Sequence, residues 1–221
     1  MRIHAKATGI EPITGKRYSA NNPESQLWIH LTGWHSVLKC YELYGPGRLS
    51  KADEDRYWAE CAIAAELQTC DPADVPRSRE GVKAYFEEVR PRLCSSEAAH
   101  RGMHYLLRPP LRKVGFKLWA ASRFTAILSI HSLPTWMRET GGFHQWRLMD
   151  LGIKLARPFI RFGTRIARKP WVGIGVIAPV APVTGKVLRQ HYRSGVPQSA
   201  ETLTPSQARE LYGRLGARRA S

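Results

Sequence analysis

Acidic residues are scarce in the second half of this 221-residue sequence. Residues 111–221 contain 19 Lys and Arg but only four Asp and Glu, a net charge of +15, whereas residues 1–110 carry 15 against 14. A field of this sign attracts phosphate, on nucleic acid or on an anionic lipid surface, and does not by itself choose between them. The sequence therefore predicts a basic C-terminal region.

Cysteine is also sparse, and no two of the four cysteines form a C-x-x-C pair. This spacing excludes a disulfide scaffold and a metal knuckle, so reduced thiols are expected. No signal-peptide pattern follows Met1. The sequence therefore predicts a cytoplasmic protein that is soluble or peripherally membrane-associated. The cysteines are Cys40, Cys61, Cys70 and Cys94.

Long hydrophobic runs are absent. The most apolar stretch covers residues 171–183, thirteen uncharged residues that Pro179 and Pro182 interrupt. A membrane-spanning helix needs about 20 apolar residues. This stretch is therefore interpreted as a buried or interfacial segment.

Alternating strand patterns are almost absent, and helical periodicity with capping signals takes their place. The fold class predicted is all-α, a single multi-helix domain with a basic C-terminal region. We expect residues 1–195 to form the domain and residues 196–221 a linker with a short final helix. Residues 1–22 are predicted to be irregular. The predicted helices start at the caps Asn22, Ser50, Ser78 and Ser95 or Ser96, and later ones cover about 111–133 and 145–168.

Motifs for covalent catalysis and nucleotide binding are missing. The sequence has no G-x-S-x-G elbow, no Cys/His protease signature and no P-loop. His100 and His104 share one helical face, a spacing that can hold a metal ion. Arg101 stands where a zinc protease would have Glu. Two alternatives therefore stay open for this pair: a metal site, or two histidines on an ordinary helix surface.

The N-terminal region carries a set of scattered residues that resembles one known family. His4 opens His-Ala-Lys-Ala-Thr-Gly, which is followed by Gly15-x-x-Tyr18-x-Ala20-x-x-Pro23 and then by a helix with Trp28-Ile29-His30. Further matches are residues 56–60 and 133–138, so the likeness covers roughly residues 2–170. These features resemble the family of rubber oxygenases (latex-clearing proteins) and fungal endoplasmic-reticulum oxygenases that cleave a farnesyl chain.

The resemblance implies a helical fold, a b-type haem and an oxygenase that acts on an apolar small-molecule substrate, isoprenoid or lipid-like. His4 matches the histidine that ligates the haem iron, and Tyr18 and His30 are candidate cofactor-binding residues. Alternatives remain open: His4 as an unliganded terminal residue, His30 as a core histidine, and Tyr18 as a structural tyrosine. Catalytic residues are not assigned.

One family feature has no counterpart before His4. The family carries an Arg-x-x-x-Thr helix about thirty residues before its ligand histidine, and only three residues precede His4. The expectation is that the chain lacks the family's N-terminal segment, and two alternatives stay open: the sequence starts inside a longer reading frame, or the chain is a degenerate member that is inactive as written.

The basic region contains an amphipathic helix with two stripes. It either packs its apolar side on the core or docks on an anionic membrane. A rival function follows, a non-catalytic helical protein that binds anionic membrane or other polyanionic surfaces through residues 147–193. Nucleic acid is not favoured, because aromatic residues do not interleave with the basic stripe. The basic stripe is Lys154, Arg157, Arg161, Arg165 and Arg168, and the apolar stripe is Leu151, Leu155, Phe159, Phe162 and Ile166.

Overall fold

The fold is helical, as a computed structural model shows for residues 6–11, 13–68, 70–179, 181–194 and 203–211. Two short strands precede the helices, β1 (Thr8–Ile10) and β2 (Arg17–Ser19). The all-α prediction is confirmed. The helices are α1 (Pro23–Tyr44), α2 (Lys51–Ala65), α3 (Arg79–Val89), α4 (Glu97–Leu107), α5 (Leu111–Ser132), α6 (Thr135–Thr140), α7 (Arg147–Ala167), α8 (Pro170–Ile177) and α9 (Pro182–Ser194), with 3-10 turns at Pro72–Asp74 and Arg90–Arg92 and a last helical segment at 205–211.

The helix starts follow the capping signals of the sequence. Ser50, Ser78 and Ser96 each accept a hydrogen bond from the backbone N–H three residues later, at 3.1–3.2 Å. Asn22 accepts one from the N–H two residues later at 2.9 Å. Each bond satisfies one of the backbone donors that a helix start leaves unpaired. Between the two serines proposed for α4, the structure selects Ser96 over Ser95.

The region before α1 is a hairpin, so its prediction as irregular structure is wrong. β1 pairs antiparallel with β2, and Gly9 lies opposite Tyr18. Gly15 turns the chain between them with a φ of +67°, a conformation that favours glycine. Strands of three residues are too short to produce a readable alternation, which explains why the pattern did not predict them.

The apolar stretch at 171–183 divides between two helices. α8 ends at Ile177, and α9 begins at Pro182. No residue of α8 is buried, and Trp171 is 73% exposed, so the prediction of a buried segment is wrong for α8. The interfacial interpretation stays a prediction. Within the described residues, no helix has the length and apolar character to cross a membrane.

The described residues form two compact units. The first takes its members from 1–38, 49–93 and 198–221, and the second from 39–48 and 94–197. The last six residues of α1, Lys39–Tyr44, thus belong to the second unit. The predicted boundary near residue 195 stays a prediction.

The first unit is built around the contacts of α1, α2 and α3. Trp58 of α2 is 1% exposed and packs with Leu31 of α1 and Val82 of α3. The Tyr57 hydroxyl donates to the Trp34 carbonyl at 2.6 Å. Close packing around one large indole makes Trp58 the centre of this core.

A buried carboxylate lies beside that core. Glu54 of α2 is 6% exposed, and Arg79 at the start of α3 contacts both of its oxygens, at 3.1 and 2.6 Å. A two-point contact of this kind satisfies a carboxylate that would otherwise lose its hydration. The pair therefore orients α3 against α2.

The second unit contains α4 to α9 and the end of α1. Ala126 and Ile130 of α5 are buried, as are Phe143 and Ile153. The Tyr44 hydroxyl, at the end of α1, donates to the Leu128 carbonyl of α5 at 2.8 Å. Burial raises the pKa of Tyr44 to about 12, so the hydroxyl keeps the proton that it donates well into the alkaline range.

α7 presents its apolar stripe to solvent, so the first of the two alternatives, in which this stripe packs on the core, is not supported. Leu155 is 69% and Phe159 79% exposed. The opposite side of the helix contains Ile153, which is buried, and Arg157 and Arg161, which are partly buried. Hydrogen bonds from Arg161 and Thr164 to the carbonyls at the end of α1 hold α7 in this orientation.

We expect Trp58→Ala to lower the free energy of unfolding by about 3–5 kcal/mol, because the substitution leaves a cavity between three helices. Trp58→Phe should cost less, since Trp58 Nε1 makes no hydrogen bond to any described residue. Urea unfolding followed by circular dichroism measures both. Trp171→Ala is the control, and a change within about 0.5 kcal/mol is expected at this exposed site. Equal losses for Trp58→Ala and Trp171→Ala would contradict the assignment of the core.

Candidate functional site

Tyr18 lies on the exposed side of the N-terminal hairpin, with its ring against the backbone of Gly9. A Cβ at position 9 would come within 2.9 Å of the Tyr18 ring, so only glycine lets the ring lie this close. The side chain is 50% exposed, and its hydroxyl has no hydrogen bond to a described residue. The Tyr18 ring therefore lies against Gly9, and its exposed hydroxyl is available to a ligand.

His30 is held in one tautomer by a neighbour on α1. Its Nε2 lies 3.1 Å from Oε1 of Gln26, which is 2% exposed. The Gln26 amide nitrogen donates to the Ala20 carbonyl, which fixes Oε1 toward His30. Because Oε1 only accepts, Nε2 must carry the proton and Nδ1 the lone pair. The Trp34 ring packs against the His30 ring, with the two ring centroids 5.6 Å apart.

This hydrogen-bond chain links His30 to the hairpin that carries Tyr18. Ala20 follows β2 directly, and its N–H donates to the Ala7 carbonyl at 2.9 Å. Hydrogen bonds through Ala20 and Gln26 thus connect the hairpin of Tyr18 to His30. The described contacts include none between the Tyr18 and His30 side chains. The sequence interpretation missed Gln26, although its i, i+4 spacing from His30 was the available signal.

An exposed apolar stripe runs along α1 beside His30. Ile29 is 55% and Val37 62% exposed, and Gly33 lies between them at helical spacing. A Cβ built on Gly33 would meet no atom within 4 Å. The stripe is consequently flat at its centre and open to an apolar partner.

His4, the predicted iron ligand, lies outside the described residues. Among the residues that are described, no group of three or more His, Cys, Asp or Glu is arranged to hold a metal ion. An axial haem ligand needs only one imidazole, so that finding does not bear on His4.

His100 and His104 both have structural partners. His100 Nε2 donates to the Thr140 carbonyl at 2.8 Å, and His104 Nε2 to the Gly141 carbonyl at 3.2 Å. The His104 ring also stacks on Phe143, with centroids 4.8 Å apart. Carbonyl oxygens only accept, so each Nε2 carries a proton. The pair therefore caps the carbonyl end of α6, and the metal-site alternative is not supported.

A second polar cluster, which sequence interpretation did not predict, surrounds Asp150 at the start of α7. The carboxylate accepts from Arg138 at 2.8 Å, from His131 Nδ1 at 2.6 Å and from Gln145 at 2.8 Å. Arg138 also donates to the carbonyls of His131 and Leu133, at 2.9 and 3.1 Å. One charge pair thereby ties three helices of the second unit together.

The partners of Asp150 hold its pKa at about 2. Burial raises the pKa, but the hydrogen bonds from Arg138, His131 and Gln145 favour the charged form and outweigh burial. A depressed carboxyl pKa stabilises the fold above the unfolded value near 4, and that contribution is lost as pH falls toward 2.

We expect Asp150→Asn to lower the free energy of unfolding by about 1–3 kcal/mol at pH 7, because it leaves Arg138 without its charged acceptor. The difference from wild type should shrink as pH falls from about 4 to 2, because wild-type Asp150 itself becomes half protonated near its pKa of about 2. Urea unfolding of the variant and of wild type at several pH values between 2 and 7 measures this difference in the free energy of unfolding. Asp55→Asn, at a half-exposed surface pair, should change stability by under about 0.5 kcal/mol. A difference that is constant with pH would contradict the assigned role of the Asp150 charge.

Comparison with known proteins places these elements in a family. No curated protein and no solved structure matches the chain at a significant level. The family model described as "ER-bound oxygenase mpaB/B'/Rubber oxygenase, catalytic domain" matches residues 1–169, which include the hairpin, α1 and the Asp150 cluster. The match spans well over half of the sequence and agrees with the resemblance found from the residues. The chain therefore belongs to the ER-bound oxygenase mpaB/B'/rubber oxygenase catalytic-domain family.

Proposed function

We propose that this protein is a haem-dependent oxygenase acting on an apolar small-molecule substrate, isoprenoid or lipid-like. The observation that carries the proposal is the family match over residues 1–169. The site would comprise His4 as the iron ligand, with Tyr18 and His30 as further cofactor-binding residues. All three belong to the N-terminal region, at residues where the chain resembles the family.

The chemistry of the described residues fits a haem. A porphyrin is a flat apolar macrocycle, and the exposed stripe of Ile29, Gly33 and Val37 is an apolar surface that lacks a side chain at its centre. His30 Nε2 donates its proton to Gln26, so this one ring nitrogen has no lone pair for iron. The family resemblance assigns the ligand role to His4 and leaves His30 as a further cofactor-binding residue.

A b-type haem held by His4 would supply iron for chemistry with dioxygen. The chain's own residues would set the surroundings of the bound group. Tyr18 would present a hydroxyl donor, and His30 would keep a proton on Nε2 and offer Nδ1 as an acceptor. The stripe on α1 would exclude water from the apolar ring and favour an apolar substrate.

We expect added hemin to bind to the chain and give a Soret band. His4→Ala should weaken hemin binding at least about tenfold, because removing an iron ligand costs more affinity than removing a residue that only contacts the ligand. Gly33→Leu should also weaken binding while leaving the helix stable, since leucine favours helix over glycine. Hemin titration followed by absorbance measures both.

Two matched controls make this experiment specific. His144→Ala removes an exposed histidine, and Gly102→Leu changes an open helical glycine of α4. Neither should alter the titration. Loss of the Soret band in His30→Ala but not in His4→Ala would overturn the ligand assignment. Absence of hemin binding in wild type would contradict the haem proposal for this chain.

A second function, docking on an anionic membrane, is favoured by the outward apolar face of α7. This docking face consists of Leu148, Leu151, Leu155, Phe159, Phe162 and Ile166, each between 37% and 79% exposed. Exposed cations flank it at Arg147, Lys154, Arg165 and Arg168. Such a helix lies in the membrane interface, with its apolar side among the acyl chains and its cations at the headgroups. An enzyme that acts on lipid-soluble chains would meet its substrate there.

We expect the double variant Leu155→Asp with Phe159→Asp to abolish co-sedimentation with phosphatidylcholine vesicles containing phosphatidylserine, because it places two carboxylates in the acyl region. Wild-type binding should weaken as salt rises. Arg157 and Arg161 face the protein, so they are unsuitable targets for this test.

The matched control is Leu67→Asp with Leu106→Asp, two exposed leucines outside α7. It should bind vesicles as wild type does. Equal loss in both double variants would mean that general hydrophobicity, and not the docking face, binds the vesicles. Vesicle binding without hemin binding would favour the non-catalytic alternative.

A further inference from the structure

A cavity of about 800 Å³ lies within the second unit, at the junction of α1 and α7. Its wall on the α1 side is Tyr41 and the turn that follows the helix at Gly45 and Pro46. Its wall on the α7 side is the last two turns of that helix. Three arginines line it: Arg161, Arg165 and Arg168.

Arg161 is a fixed part of this wall. Its Nε and Nη2 donate to the carbonyls of Leu43 and Glu42, at 3.2 and 2.6 Å, so the guanidinium caps the end of α1. Thr164, one turn later, donates to the Tyr44 carbonyl at 2.7 Å. Because two edges of the guanidinium are anchored, Nη1 is held in place, and it donates to no described residue.

Arg165 and Arg168 supply uncompensated charge. Neither side chain makes an ion pair or hydrogen bond with any residue that the structure describes, and both side chains are exposed. Like charges gathered around one cavity repel each other, and an anion bound among them relieves that repulsion. Guanidinium forks match the oxygens of phosphate, which carries more charge than a carboxylate and offers more acceptors.

Apart from Thr164, the rest of the cavity wall is largely apolar. Phe162 is 65% and Tyr41 42% exposed, and Pro46 lies beside them. Phe162 also belongs to the docking face of α7, so the cavity opens toward an apolar surface. A ligand complementary to both parts has a phosphate at one end and an apolar chain at the other.

We propose that this cavity binds the phosphate group of an amphiphile, with Arg161, Arg165 and Arg168 on the phosphate and Phe162 against the chain. The phosphate could come from a membrane phospholipid headgroup or from a soluble alkyl or prenyl phosphate. The site uses no residue assigned to the haem, so it does not rest on the oxygenase proposal.

Calorimetric titrations of the protein with three probes separate the effect of the phosphate charge from that of the alkyl chain. Octyl phosphate carries both groups, inorganic phosphate carries only the charge, and octyl glucoside carries only the alkyl chain. We expect octyl phosphate to bind most tightly, inorganic phosphate weakly and octyl glucoside weakest of all. Arg165→Gln with Arg168→Gln should weaken octyl phosphate binding at least about tenfold, since it removes two charge-assisted contacts. Phe162→Ala should weaken octyl phosphate but leave inorganic phosphate unchanged.

The matched control removes the same charge from the same helix outside the cavity, through Arg147→Gln with Lys154→Gln. Its octyl phosphate affinity should stay within about twofold of wild type, because screening weakens distant charges. Equal weakening in both double variants would overturn the proposal in favour of a general charge effect. Unchanged binding in Arg165→Gln with Arg168→Gln would overturn it as well.

Vesicles of phosphatidylcholine with phosphatidic acid identify the source of the phosphate once the site is established. Loss of both octyl phosphate and vesicle binding in the arginine variant, with vesicle binding retained in Arg147→Gln with Lys154→Gln, supports a lipid headgroup. Loss of octyl phosphate binding with vesicle binding retained supports a soluble amphiphilic phosphate. Hemin binding should be unaffected in either case, which keeps failure of this proposal distinct from failure of the haem proposal.

Discussion

The second unit depends on how the carbonyl end of α1 is satisfied. The last turn of α1 contains no basic residue, so its unpaired carbonyls need donors from elsewhere. Arg161 and Thr164 of α7 provide them through three hydrogen bonds to Glu42, Leu43 and Tyr44. Unsatisfied carbonyls cost free energy, and a cation also complements the negative end of the helix dipole. This contact fixes which side of α7 faces inward.

The orientation of α7 has two functional consequences. With Arg161 turned inward, the apolar stripe must face outward, which produces the docking face of α7. The same rotation places Arg165 and Arg168 at the rim of the cavity beside α1. An amphipathic helix usually buries its apolar side, and here polar contacts at the end of α1 take precedence. The membrane and phosphate proposals therefore share one structural cause.

Several histidines that suggested chemistry serve to position structure. His100 and His104 cap the carbonyl end of α6, and His131 supports the Asp150 charge. His30 is fixed by Gln26, which leaves its orientation defined and its Nδ1 available. In each case a carbonyl or carboxylate partner sets the tautomer, so the proton position follows from the acceptor. The haem proposal takes His4 as the iron ligand from the family resemblance, with His30 in a supporting role.

The sequence by itself determined the helical class, the family and most helix starts, because capping and periodicity are local properties that survive in any tertiary context. It did not determine the β1–β2 hairpin, whose strands are too short for a pattern, or the Asp150 cluster, whose members come from separate elements. The sequence showed that α7 has an apolar stripe and a basic stripe, but it did not show which stripe faces the protein. Only the tertiary structure decided that direction, because it depends on carbonyls of α1 more than a hundred residues away in the chain.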